Sequence, residues 1–192
     1  MKKLLITGFD PFDGQGVNPS WAAVSALPET VGGYELCKLN IPTVFGKAAQ
    51  IVLEKAGEFR PDVILCIGQA GGRDAVTPER IAVNIRDARI PDNAGVKCAG
   101  ERIAPDGPAA YFATVPVERM AQAIRDGQIP AAVSNTAGTY VCNDVLYTLL
   151  HRFDGTATRV GFIHVPYMVG QGTPCLPLET TVRALEIALS AL

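Results

Sequence analysis

The chain has 192 residues, a formal net charge of −2, two histidines and five cysteines. Nothing in it approaches the ~18 consecutive apolar residues of a bilayer span. No Lys/Arg block offers a footprint for nucleic acid, and widely spaced cysteines without a C-x-x-C exclude a zinc motif or a disulfide framework.

In chain order, Lys3–Gly8 is a short apolar run closed by a glycine. With Met1 and Lys2 it imitates the start of a signal peptide, but Thr7, Gly8 and Asp10 cut the apolar stretch short, so the expected location is cytoplasmic. Asn18-Pro19 supplies an N-cap and an N1 proline for a helix carrying Trp21, Val24 and Leu27. Tyr34–Ile41 reads as a strand, and Val44, Ala48, Ile51, Val52, Ala56 and Phe59 form a helical stripe. Asp62–Gly68 reads as an apolar strand, and Ile81–Ile85 alternates as a strand outside the main order. Helical spacing returns at Val117, Met120, Ala121 and Ile124. Ala131–Asn135 and Arg159–Val165 read as strands, with a helix through Val145–Phe153 between them and a last helix from Leu178 to Leu192. Strands this apolar are buried on both faces of a largely parallel sheet. The expectation is one α/β domain over residues 1–192, three-layered α/β/α, with a mixed, largely parallel sheet.

Open α/β sheets place their sites at the carboxyl ends of strands. The loops Phe9–Val17, Gln69–Thr77, Thr136–Val141 and Pro166–Pro177 should therefore meet. The chain's 19 glycines and 14 prolines are concentrated, with 20 of them in residues 8–19, 68–78, 91–108 and 166–177, three of which follow strands at this end. Gly14-Gln15-Gly16 lacks the third glycine of a dinucleotide fingerprint, there is no Walker-type Gly-Lys-Ser/Thr, and no serine stands in G-x-S-x-G.

Cysteine nucleophilic chemistry is left, which needs a thiol, a base and a group that orients the base. Cys37 and Cys66 fall in strands as small hydrophobes. Cys142 follows a small-residue turn at the start of a helix, where a thiol is acidified and free N–H groups can meet an oxyanion. Taken alone it is equally an ordinary residue of a helix start. His164 ends the last strand, whereas His151 sits at the far end of the Cys142 helix, so geometry favours His164 as base. Glu79 follows the loop after the third strand and can orient the imidazole or pair with Arg80. Asp144 sets an anion within one helical turn of Cys142, which raises the thiol pKa unless the side chain turns away.

The segments Gly8–Phe12, Gly68–Arg73, Pro78–Asn84, Ala88–Asn93, Ser134–Asn143 and Ile163–Tyr167 span nearly the whole chain. Together they resemble the pyroglutamyl peptidase I (pyrrolidone-carboxylate peptidase) family of cysteine peptidases. The resemblance implies a Cys142–His164–Glu79 triad, no metal and no cofactor, and removal of N-terminal pyroglutamate (5-oxoproline) from peptides. It also implies a homo-oligomer, tetramer or dimer. A flat, neutral lactam requires apolar faces and partners for its ring amide. Phe9 and Phe12 can supply the faces, or staple the following helix. Gln69 and Asn18 can supply polar contacts, although Asn18 is also the N-cap. Arg89 can assist the oxyanion, or pair with Asp87 or Asp92. Two rival readings are a nucleoside phosphorylase-like transferase, which needs a phosphate site, and a redox sensor using Cys142.

Overall fold

A computed structural model describes residues 1–192. The first half comprises β1 (Lys2–Phe9), α1 (Pro19–Ala26), β2 (Thr30–Val31), β3 (Tyr34–Ile41), α2 (Lys47–Phe59), β4 (Val63–Gln69), β5 (Thr77–Pro78), β6 (Ile81–Val83) and β7 (Arg86–Asp87). There follow β8 (Ala99–Glu101), β9 (Ala110–Phe112), α3 (Val117–Asp126), α4 (Val141–Phe153), β10 (Arg159–Val165), β11 (Tyr167–Met168), β12 (Cys175–Leu176) and α5 (Leu178–Ser190).

The main sheet runs β2-β3-β1-β4-β10-β5. β3, β1, β4 and β10 are parallel, while the two-residue strands β2 and β5 are antiparallel to their neighbours. The central strands are buried along most of their length, as their apolar sequences require. One face carries Leu4, Ile6, Leu65 and Ile163 against α1, α3 and α5. The other carries Leu5, Ile64, Cys66 and Phe162 against α2 and α4. The three-layer reading is thus correct, and the mixed character comes from the short edge strands.

Ala131–Asn135 is not the strand its sequence suggests. It runs beside residues 76–80 through two isolated parallel bridges, Val76 with Ala131 and Glu79 with Ser134. The bonds Val76 N–H to Pro130 O, Ala132 N–H to Val76 O, Ser134 N–H to Pro78 O and Arg80 N–H to Ser134 O outline a ladder. Pro78 has no N–H to donate in its middle, so the ladder is interrupted there. Ile81–Val83 does form a strand outside the main sheet, paired antiparallel with β9.

The α1 start follows the sequence reading. Asn18 Oδ1 accepts from Ser20 N–H at 3.0 Å, and Pro19 opens the helix. Gly8 lets this helix approach β1 directly, since a Cβ there would lie 2.6 Å from the Trp21 backbone. Two backbones cannot yield as a side-chain tip can. Gly8→Ala is therefore expected to lower stability by about 1–3 kcal/mol, the range for overpacking a close contact, read as a lower urea midpoint.

Candidate active site

The loops after β1 and β4, the turn before α4 and the end of β10 meet as the topology requires. They enclose a cavity of about 270 Å³ lined by Phe9, Phe12, Asn18, Gln69, Cys142 and His164, together with Thr43, Ala70, Gly71, Arg73, Ala137, Gly138 and Tyr140.

Cys142 is the second residue of α4, a helix whose N-cap, Tyr140, makes no side-chain cap. The positive end of the helix dipole and its unclaimed N–H groups therefore face the cavity. The thiol sits over Gly68 of β4, where an added Cβ would lie 2.9 Å from Sγ and 2.7 Å from the Phe162 ring. Gly68 is the register partner of His164 on β10. Nucleophile and imidazole are thereby set on adjoining positions of one sheet end.

Asn143 anchors this arrangement from behind. Its Oδ1 accepts from Val83 N–H at 2.9 Å, and its Nδ2 donates to the carbonyls of Val83 and Ile85. Asp144 turns away from the thiol. Its Oδ1 accepts from Arg86 Nε at 2.7 Å, and its Oδ2 accepts from Gly46 N–H at 2.7 Å. The concern raised by its position is therefore resolved by Arg86, which neutralises the anion on the side of α4 away from the cavity.

His164 Nδ1 and Glu79 Oε1 are 2.7 Å apart, and both side chains are buried. Arg73 donates to the same Glu79 oxygen at 2.6 Å. Burial alone would raise the Glu79 carboxyl, but the hydrogen bond and charge of His164, reinforced by Arg73, hold it below the ordinary carboxylate value. Burial lowers the imidazole below its usual value against the pull of Glu79. Burial first, then the charge of Glu79, pushes the Cys142 thiol up to about 12. Burial thus favours the uncharged forms of the Cys142 thiol and the His164 imidazole, while its partners favour the ionised form of Glu79.

Of the residues expected to hold a substrate, Phe9 and Phe12 both line the cavity, Phe9 packed on Phe162 and Phe12 on Tyr140. The Asn18 carbonyl is taken by Ser20 N–H and Oγ–H, and its Nδ2 donates to Asp10 O, so it mainly fixes the loop. Gln69 Oε1 accepts from Gln171 Nε2 at 3.1 Å, which leaves the Gln69 NH₂ facing the cavity without a protein acceptor. Arg89 does not line this cavity. It is exposed and borders an adjoining depression that shares Phe12, Gly138 and Tyr140, because the chain leaves α4's turn along β7 before reaching position 89. Sequence reasoning overlooked Arg73 and Tyr140 as site residues. Arg73 was visible only as the last residue of a glycine-rich loop, and its partner Glu79 is a through-space neighbour.

The pyroglutamyl peptidase family profile, C15, matches residues 2–192. A pyrrolidone-carboxylate peptidase of Levilactobacillus brevis is 50% identical over 99% of this chain and 97% of its own length. One from Bacillus licheniformis is 48% identical over 97% of this chain and 90% of its own. The crystal structure of Bacillus amyloliquefaciens pyroglutamyl peptidase I superposes with a TM-score of 0.95 at 44% identity, covering 100% of this chain and 96% of that one. The chain is a cysteine-type hydrolase. It belongs to the pyroglutamyl peptidase family.

Asp144→Ala strands Arg86 and the Gly46 N–H. Removing one partner of a buried pair costs about 3 kcal/mol, at the low end because Arg86 keeps some contact with water. The expected result is a lower urea midpoint with no change in the pH profile of Cys142 alkylation.

Proposed function

We propose that this enzyme removes N-terminal 5-oxoproline from peptides through a Cys142–His164–Glu79 triad and a thioester intermediate. The observation that carries the reading is the Glu79–His164 pair at 2.7 Å, set at the sheet end where Cys142 opens an uncapped helix. Family membership supports the substrate class.

With Nδ1 held by Glu79, Nε2 is the ring nitrogen left to exchange protons. It takes the Cys142 proton as sulfur attacks the carbonyl that joins 5-oxoproline to the next residue. The oxyanion is received by N–H groups of the first turn of α4. As the C–N bond breaks, the imidazolium passes its proton to the leaving amine. Water, deprotonated by His164, then hydrolyses the thioester and restores the thiol. A neutral resting pair suits this sequence, because charge separates only as the nucleophile attacks, and ionised Glu79 steadies the imidazolium that forms.

The lactam ring fits between the Phe9 and Phe12 side of the cavity and the polar rim at Gln69, whose free NH₂ can donate to the ring carbonyl. A peptide beginning with proline carries a charged amine and lacks that carbonyl, which leaves a buried donor unpaired and discriminates strongly against it. The proposal includes a cytoplasmic homo-oligomer, dimer or tetramer, acting without metal or cofactor. No helix is long and apolar enough to cross a membrane.

Turnover of a fluorogenic pyroglutamyl amide tests the reading. Cys142→Ser is expected to abolish it almost completely with the thermal midpoint retained; full activity in that variant would end the assignment. Phe12→Ala is expected to lower kcat/KM by roughly tenfold, as loss of apolar contact in a pocket does, while the alkylation rate of Cys142 stays unchanged.

A further inference from the structure

Glu79 presents an unusual division of labour between its two oxygens. Oε1 receives both His164 Nδ1 and the Arg73 guanidinium, whereas Oε2, equally buried, meets no donor from the protein. Two groups that can both be cationic thus converge on one atom.

Arg73 is also fixed by other partners. Its NH1 donates to Thr77 Oγ1 at 2.6 Å and its NH2 to Thr136 O at 2.9 Å. Thr77 adjoins β10 through the His164 carbonyl, and Thr136 lies in the turn that leads into α4 and Cys142. One planar fork therefore ties the carboxylate, the edge of the His164 strand and the nucleophile turn. A lysine could supply the charge there but not this geometry.

We infer that Arg73 is a positioning residue for the reaction proposed above: its fork aims Glu79 at His164, and its charge adds to the burial that opposes protonation of the imidazole. An isolated buried carboxylate favours a protonated imidazole beside it. The guanidinium weakens that advantage, since any imidazolium would share its anion with a second cation close by. The charged or titratable groups facing His164 are Glu79, Arg73 and Cys142; α1, packed on the other side, carries no charged residue, and Asp144 of α4 is turned to Arg86. Arg73 lowers the basicity of His164 and favours the ionised form of Glu79. Because His164 must be neutral to take the thiol proton, activity rises with pH through its titration, and Arg73 holds that rise at lower pH.

Two variants separate charge from geometry. Arg73→Gln removes the charge and keeps amide donors, whereas Arg73→Lys keeps the charge and loses the fork. The readouts are kcat and KM against pH on the pyroglutamyl amide, and the titration midpoint of His164 by ¹⁵N-histidine NMR, with the second histidine assigned through His151→Gln. In Arg73→Gln, the His164 midpoint and the acid limb of kcat/KM both move to higher pH. In Arg73→Lys, both stay in place while kcat falls on the order of 10²-fold at nearly constant KM, the penalty for a catalytic group held out of line. A midpoint that stays or drops in Arg73→Gln overturns the inference, as does an acid limb displaced in Arg73→Lys. Should Arg73→Gln fail to fold, the Arg73→Lys outcomes decide. The NMR midpoint needs no turnover, so a wild-type protein inactive on the amide but with the expected Arg73→Gln shift would refute the functional reading and leave only the charge effect of Arg73 on His164 standing.

Discussion

A carboxylate sealed from water is costly unless other groups replace its hydration, and the structure is arranged around one such group. Glu79 is completely buried between β5 and β6, with His164 and Arg73 both meeting its Oε1. To keep it ionised, the end of β10, the loop after β4 and the turn before α4 must converge at one point. The same convergence forms the cavity. The site's geometry is thus a condition for tolerating the charge, and a fold that lost either partner would face a buried, poorly compensated anion.

The nucleophile end is organised by a different economy of polar contacts. Asn143 and Asp144 follow Cys142 on the first turn of α4, and both turn their side chains away from the cavity, towards Val83, Ile85, Arg86 and Gly46. Three consecutive residues therefore perform three tasks: one faces substrate, one stitches the helix to β6, and one anchors it to the segment that opens α2. The glycine beneath the thiol completes the setting, because any side chain at Gly68 would take the space of Sγ.

Much of this was legible in the sequence wherever the signal was local. The apolar runs of β1, β4 and β10, the N-cap at Asn18 and the helix opening at Cys142 each follow from neighbouring residues. Ala131–Asn135 misled because its composition is that of a strand, while the interruption comes from Pro78, over fifty positions earlier and on the facing segment. Arg73 and Arg89 misled in the opposite sense. Both lie at loop ends near the site, and only the three-dimensional structure shows that Arg73 reaches Glu79 while Arg89, just past β7, borders a neighbouring depression. Through-space charge pairing leaves no periodic trace in one chain. The direction of Asp144 was likewise undecidable from sequence, since its partner Arg86 is contributed by another element.

Pro78 has a consequence beyond the site. A sheet ending in a regular strand exposes a row of free N–H and C=O groups on which another chain can assemble. Here one border of the sheet is the two-residue β2, and the other is β5 with its covering segment, where the proline breaks the regular alternation of donors. The β5 margin therefore offers no long regular template. The proline just before Glu79 thereby also removes a donor from one border of a largely parallel sheet, the kind of gap that discourages edge-to-edge pairing there.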